Sequence, residues 1–108
     1  MQFQRILCVQ ATLGAVLLFT GAAAWGQSSA VLHSRALAAT CASCHGTDGK
    51  AVPGEAMAPL AGLPKFYIVA QMQAFRDGTR QATVMHHITK GYTDEQIELI
   101  AAYFATRK

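Results

Sequence analysis

Two cysteines and a histidine stand in the order Cys41-Ala-Ser-Cys44-His45, and few protein chemistries use two thiols and an imidazole at this spacing. Cysteines three apart, with a histidine directly after the second, are typical of a covalent c-type haem attachment site. On one helical turn both thiols can reach the two vinyl groups of a protoporphyrin and form thioethers. His45 then points its imidazole at the iron from the same side, as the proximal ligand. We therefore predict one covalently bound haem c.

Two other interpretations of this motif are open at this stage. A bare Cys-x-x-Cys can be a thioredoxin-like redox pair, but that pair belongs to a βαβ unit, and no strand pattern precedes Cys41. A structural zinc site needs four cysteine or histidine ligands. Outside the motif and Cys8 near the N-terminus, the remaining candidates for such a site are three histidines: His33, His86 and His87.

Residues 1–26 are predicted to be a signal peptide. A short start with one positive charge, Arg5, is followed by an apolar run over 6–24 and by small residues suited to a signal peptidase. Cleavage is expected before Gln27, or alternatively before Trp25, and an uncleaved membrane anchor is the alternative to cleavage. A signal peptide is consistent with the predicted haem c, because bacteria attach haem c outside the cytoplasm. The signal peptide predicts a periplasmic protein with no stable membrane insertion.

Residues 27–108 are predicted to form one domain of about eighty residues, which is small enough that its own side chains make a marginal core. A buried haem would supply the missing apolar surface, as staples do in small scaffolds. The formal net charge is +3, and the basic residues are scattered without a run. This distribution disfavours nucleic-acid binding.

Three or more helices are expected to surround the haem, and no strand of useful length is found, so the predicted fold class is all-α. The first helix runs from about Ala30 into the haem motif. The second begins after Pro64, and Gly78 stands where a C-terminal glycine cap would. The third opens at Thr93 with a capping-box pattern. The segment 79–92 between the second and third helices is expected to be a loop.

A low-spin electron-transfer haem usually takes a second strong axial ligand, and a methionine thioether raises its potential. Met85 is the predicted ligand because it lies far from His45, between the second and third helices, where it can approach the opposite haem face. Met57 follows His45 closely, on the proximal side, and Met72 has the helical spacing of a core residue. The remaining rivals are the two histidines that follow Met85, which would make a bis-histidine haem of lower potential.

The proximal histidine also needs a partner for its other ring N–H, which fixes its orientation. A loop carbonyl is the usual partner, and Pro59 is suitably placed after the haem motif. The alternative is that Pro59 only stiffens a turn.

Taken together, these features resemble the class I cytochromes c, and most of all the small cytochromes grouped with cytochrome c4 and with the cytochrome subunit of flavocytochrome c sulfide dehydrogenase. The stretches that carry the resemblance cover nearly all of the predicted domain: 41–49, 59–62, 75–80, 83–85, 90–93 and 101–104. The resemblance implies the class I cytochrome c fold, Met85 as distal ligand and Pro59 as acceptor of the histidine hydrogen bond. Relatives with two haem domains exist, whereas this chain has one attachment motif.

The resemblance further implies an electron-transfer protein that is not itself an enzyme. It would take single electrons from an FAD flavoprotein subunit that oxidises sulfide, and would pass them to a respiratory acceptor. One alternative is a freely diffusing carrier of the cytochrome c4 or c5 kind that serves a terminal oxidase or reductase. Another is a haem peroxidase or ligand sensor, which would require an open sixth coordination position.

Overall fold

The computed structural model describes residues 27–54 and 57–108, and the predicted signal peptide, residues 1–26, lies outside this range. The described part forms five α-helices: α1, Ser29–Ala39; α2, Ala42–His45; α3, Lys65–Asp77; α4, Met85–Ile88; and α5, Asp94–Ala105. Two 3₁₀ turns, Thr47–Gly49 and Thr89–Gly91, follow α2 and α4. Because these residues contain no β-strand, the predicted all-α fold class is confirmed. None of the described helices combines the length and the apolar character needed to cross a bilayer.

Short-range sequence signals set the ends of the longer helices. The side chain of Ser28 caps α1 by accepting a hydrogen bond from the backbone N–H of Val31. Thr93 and Gln96 form the predicted capping box at α5, with reciprocal side-chain to backbone distances of 3.3 and 2.9 Å. Gly78 ends α3 at φ +79°, in the left-handed region that glycine adopts without strain.

The first helix does not continue into the Cys-x-x-Cys-His motif as expected. The Thr40 hydroxyl donates to the Leu37 carbonyl at 2.7 Å, and the backbone N–H of Cys41 donates to the Ala38 carbonyl at 3.1 Å. These bonds span three residues rather than four, so the chain tightens and α2 begins as a separate turn. The threonine hydroxyl competes for a helical carbonyl, which is the physical reason for the break.

The segment 79–92 is not wholly a loop, because it contains α4 and the second 3₁₀ turn. Thr89 is fully buried, and its hydroxyl donates to the Met85 carbonyl at 2.8 Å. A buried hydroxyl must find a hydrogen-bond partner, and here it finds the carbonyl one turn back. This bond helps to hold a four-residue helix that is too short to be stable by itself.

The core lies where α5 packs against both α1 and α3. Seven hydrophobic residues are buried in it: Ala38, Ile68, Met72, Ile97, Ile100, Ala101 and Phe104. On α5, the three large apolar residues at helical spacing, Ile97, Ile100 and Phe104, are at most 1% exposed and form one buried face. For a chain of this size the core is small, as the sequence predicts.

Two ion pairs join α3 to α5 at the surface. Lys65 Nζ lies 2.6 Å from Glu98 Oε2, and Arg76 Nη2 lies 2.8 Å from Asp94 Oδ1. All four side chains are at least a quarter exposed, so water screens both pairs and they contribute little to stability. The helices are therefore held mainly by their apolar contacts, and the ion pairs favour one alignment.

A hydrogen bond from the Tyr103 hydroxyl to Asp48 joins α5 to the 3₁₀ turn that follows the haem motif. Asp48 adopts φ +55°, a left-handed conformation that aspartate tolerates better than most residues. The Arg107 guanidinium lies 4.1 Å from the centre of the Tyr103 ring. The bond to Asp48, with a smaller effect of burial, raises the pKa of Tyr103 above its ordinary value.

We predict that Tyr103→Phe lowers the free energy of unfolding of the haem-loaded protein by about 1–2 kcal/mol at neutral pH. The raised pKa means that the native state favours the protonated hydroxyl. The contribution of Tyr103 is therefore complete below pH of about 10, the ordinary tyrosine pKa, and is lost as the pH rises through the higher native value. Guanidinium denaturation at several pH values measures the difference between wild type and variant.

The control for this experiment is Tyr67→Phe, at a residue that is 42% exposed. It should change stability by less than about 0.5 kcal/mol at every pH. A difference between wild type and Tyr103→Phe that is equally large in strong alkali would contradict the role given to the Asp48 bond.

Candidate cofactor site

A cavity of about 460 Å³ lies among the end of α1, α2, the loop before α3, and helices α3 and α4. Its volume falls within the range of about 300–1,000 Å³ that is usual for cofactor and ligand sites. Most of the wall is apolar and includes Leu60, Leu63, Ile68, Met72 and Phe75. All five predicted site residues line this one cavity: Cys41, Cys44, His45, Pro59 and Met85.

The two cysteines occupy one short turn. Cys41 lies at the junction between α1 and α2, and the backbone N–H of His45 donates to its carbonyl at 2.9 Å. Burial raises the pKa of the Cys41 thiol, in spite of an opposing hydrogen bond with Thr40. A thioredoxin-like redox pair needs the opposite shift, toward the thiolate. This environment therefore disfavours the redox-pair alternative and leaves two thiols that can add across vinyl double bonds.

The zinc alternative lacks a set of ligands. In residues 27–54 and 57–108, no three His, Cys, Asp or Glu side chains come together around a point that could hold a metal ion. His33 is exposed on α1. The rings of His86 and His87 lie 3.9 Å apart on α4, and neither residue lines the cavity.

His45 is oriented by a hydrogen bond through one ring nitrogen. Its Nδ1 lies 2.7 Å from the carbonyl oxygen of Ala58. A carbonyl can only accept, so Nδ1 carries the proton and donates. In the neutral imidazole, Nε2 then keeps its lone pair, which is the state that a metal ligand requires. The side chain is thus prepared to bind a metal through Nε2.

The acceptor in this bond is one residue away from the predicted one. We expected Pro59 to accept the histidine hydrogen bond, but the carbonyl belongs to Ala58, so that prediction is wrong. The physical reason is the effect of a proline on the residue before it. Proline disfavours the helical conformation for that residue, and this favours an extended Ala58 whose carbonyl is left free to accept from outside the segment. Pro59 itself lines the cavity.

Gly49 holds the Ala58 segment in place. Its carbonyl accepts hydrogen bonds from the backbone N–H groups of Leu60 and Ala61, at 2.8 and 3.1 Å. Gly49 has φ +76°, and an added Cβ would lie 2.8 Å from the Phe104 ring and 2.9 Å from Leu60. Only glycine fits at this point, so the loop packs directly on α5. The carbonyl that orients His45 is in this way tied to the helical core.

Three methionines line the cavity: Met57, Met72 and Met85. Met57 directly precedes Ala58 and therefore lies in the loop that holds His45. Met72 is 6% exposed and belongs to the core. Met85 begins α4, which packs against α3 and the second 3₁₀ turn, whereas the helix of His45 packs against α1 and the first 3₁₀ turn. Met85 remains the predicted distal ligand, and its position is consistent with a wall separate from that of His45.

The sequence does not predict a further hydrogen bond at the edge of the cavity. The Tyr92 hydroxyl lies 2.7 Å from Thr40 Oγ1. Because the Thr40 hydroxyl already donates to Leu37, Tyr92 is the donor in this bond. Both residues line the cavity and are 52 positions apart, so no local pattern could have revealed the pair.

The residues of the cavity fit a haem c. The wall is apolar, two thiols lie on one turn, and a histidine with a free Nε2 lone pair follows them directly. The thioether of Met85, on α4, also lines the cavity. Two sulfurs for covalent attachment and a nitrogen and a sulfur for axial ligation match the donor set of a histidine–methionine cytochrome.

Comparisons with known proteins also point to a haem c. The family model described as Cytochrome c matches residues 34–108. The chain is 41% identical over 87 residues to the cytochrome subunit of sulfide dehydrogenase from Chlorobaculum tepidum, covering 79% of this chain and 77% of that protein. It is 35% identical over 105 residues to the thiosulfate dehydrogenase electron acceptor from Thiomonas intermedia, covering 97% of this chain and 45% of that protein.

A third relative is cytochrome c4 from Pseudomonas aeruginosa, which is 38% identical over 74 residues, covering 68% of this chain and 36% of that protein. The chain thus spans less than half the length of two of these relatives and about three quarters of the third.

We predict that Met85→Leu removes the sulfur–iron charge-transfer band of the oxidised protein and opens the sixth position to carbon monoxide after reduction. The reduction potential should fall, since axial ligation tunes haem potentials over a range of about 0.8 V. Met57→Leu and Met72→Leu are matched controls with nearly the same change in volume, and they should keep the band. If the band survives in Met85→Leu and disappears in either control, the ligand is misassigned.

Proposed function

The chain belongs to the cytochrome c family, and from this membership we propose that it is a one-electron carrier with a single covalently attached haem c. The observation that carries the proposal is the arrangement of Cys41, Cys44 and His45 along one wall of an apolar cavity, with the imidazole already oriented by Ala58. When bound, the haem supplies a one-electron iron couple. The chain itself supplies attachment, ligation and shielding from water.

Each site residue has a distinct part in this function. The thiols of Cys41 and Cys44 would hold a haem by adding across its two vinyl groups, each sulfur bonding one vinyl carbon while the thiol proton goes to the other. His45 would ligate the iron through Nε2, because Nδ1 donates to the Ala58 carbonyl. Met85, which lines the same cavity, would supply a second, thioether ligand, and a haem held in this way would have no open position for the chemistry of a peroxidase or ligand sensor. The one-electron chemistry belongs to the haem, so these residues suit a carrier rather than an enzyme.

The rim of the cavity supports electron exchange with a protein partner. Four apolar residues line the cavity and are 42–47% exposed: Met57, Tyr67, Val84 and Ile88. The part of this apolar rim that a bound haem leaves uncovered would form a contiguous apolar surface of the kind that marks binding sites. A partner that docks on them would approach the cofactor edge closely.

The partner that we propose is an FAD flavoprotein that oxidises sulfide. The relative from Chlorobaculum tepidum is named as the cytochrome subunit of sulfide dehydrogenase, and this chain spans most of its length. A free carrier is the second candidate, favoured by the likeness to the thiosulfate dehydrogenase electron acceptor and to cytochrome c4. In either case residues 1–26 would direct export, and the protein would work in the periplasm.

The test begins with the protein purified from a periplasmic extract of a host that matures c-type cytochromes. We predict one haem that resists acid–acetone extraction and a redox titration with a one-electron slope. The double variant Cys41→Ser and Cys44→Ser should lose the resistant haem completely. Resistant haem in that variant would contradict the attachment site.

The partner is tested by isolating the protein from cells that contain its native redox system. An FAD subunit should co-purify, and sulfide should reduce the haem only in its presence. Oxidation of sulfide to the level of sulfur releases two electrons, so two cytochromes should be reduced per sulfide consumed. Reduction by a thiosulfate-oxidising enzyme, with no flavoprotein bound, would favour the free carrier instead.

A further inference from the structure

The part of the chain that carries Met85 packs on a different neighbour from the part that carries the cysteines. The distal segment, residues 84–92, comprises α4, the second 3₁₀ turn and one residue on either side. Both α4 and this turn pack against α3. The attachment turn, residues 40–45, follows α1, and α1 packs against α5. The two segments therefore need a separate contact if they are to keep a fixed distance.

The hydrogen bond between Tyr92 and Thr40 supplies such a contact. The Tyr92 hydroxyl, at the end of the distal segment, donates to Thr40 Oγ1 at 2.7 Å. Thr40 directly precedes Cys41, so the bond reaches the first residue of the attachment turn. Among the hydrogen bonds of residues 27–54 and 57–108, this one alone joins the two segments.

Further hydrogen bonds extend this contact on both sides. The backbone N–H of Tyr92 donates to the Thr89 carbonyl at 3.3 Å, and the buried Thr89 hydroxyl donates to the Met85 carbonyl at 2.8 Å. On the other side, the Thr40 hydroxyl donates to the Leu37 carbonyl at 2.7 Å. A series of hydrogen bonds thus runs from the end of α1 to Met85.

The surroundings of Tyr92 make it a well-placed donor. Its ring is half-buried and packs against the hydrophobic core. A tyrosine has only two side-chain torsions to fix, so little conformational entropy is lost when its hydroxyl is held. Tyr92 and Thr40 both line the cavity, and a cofactor bound there would shield their bond from water on that side. A shielded hydrogen bond is stronger than one in open solvent.

We propose that the Tyr92–Thr40 hydrogen bond holds the distal segment against the attachment turn and thereby keeps Met85 on the haem iron. This inference rests on the proposed haem c function with Met85 as distal ligand. Helix α4 has four residues and is too short to be stable by itself, so the segment opens locally unless another contact restrains it. Tyr92 is a positioning residue, because it acts on the iron only through Met85.

The decisive experiment measures how fast imidazole displaces the distal ligand of the oxidised, haem-loaded protein. Imidazole can bind only after the thioether has left, so at high imidazole concentration the rate approaches the rate at which the distal segment opens. Tyr92→Phe keeps the ring and its packing but removes the donor. Loss of this one bond should make the opening about fivefold faster. Stopped-flow absorbance in the Soret band follows the exchange, and a wild-type rate in Tyr92→Phe would overturn the inference.

A double-mutant cycle with Thr40→Val tests whether the two residues act as a pair. Valine keeps the shape of threonine and removes the acceptor. Both single variants should speed the exchange, and the double variant should be no faster than the faster single variant. Thr40→Ser keeps the hydroxyl and should exchange at close to the wild-type rate. Accelerations that multiply in the double variant would mean that the two hydroxyls act independently, and this would overturn the inference.

Tyr103→Phe is the matched control, because it removes another tyrosine hydrogen bond, to Asp48, outside the distal segment. It should lower the stability of the whole fold and leave imidazole exchange close to wild type. Equal acceleration in Tyr103→Phe and Tyr92→Phe would show that exchange follows global unfolding, which contradicts the role given to Tyr92. Failure of the proposed function is separately visible, because the wild type itself would then lack covalent haem.

Discussion

The small size of the hydrophobic core is the main constraint on the stability of this fold. The described chain buries seven hydrophobic side chains, and three of them, Ile68, Met72 and Ile100, also form part of the cavity wall. If the cavity were empty, these side chains would lose contacts on one side, with a cost that increases with the volume left vacant. The haem is therefore expected to act as the centre of the core, and α1, α3 and α5 pack around it.

Helix α5 also determines the orientation of the predicted proximal ligand, His45. Phe104 on α5 packs against Gly49. The Gly49 carbonyl accepts hydrogen bonds from the loop segment directly after Ala58, and Ala58 in turn accepts from His45. Tyr103, the preceding residue of α5, reaches Asp48 in the same turn. Two neighbouring side chains of one helix thus fix the segment that orients the imidazole. Stability and ligand geometry depend on the same contacts.

The sequence predicts the features that depend on local chemistry. The haem motif, the Thr93–Gln96 capping box and the glycine at the end of α3 each involve residues only a few positions apart. It misplaces the histidine partner by one residue, because any residue can supply a backbone carbonyl and only the fold selects Ala58. It also does not reveal the hydrogen bond between Tyr92 and Thr40, because these residues are 52 positions apart and only the fold brings them together.

The central claim is that the cofactor completes the core, and far-ultraviolet circular dichroism of the chain without haem tests it most directly. The measurement would use residues 27–108 expressed in the cytoplasm, where haem c is not attached, beside the haem-loaded protein. We predict that the haem-free chain has lost most of its helical signal and shows no cooperative thermal transition. Native-like helicity with a cooperative melt would contradict the claim.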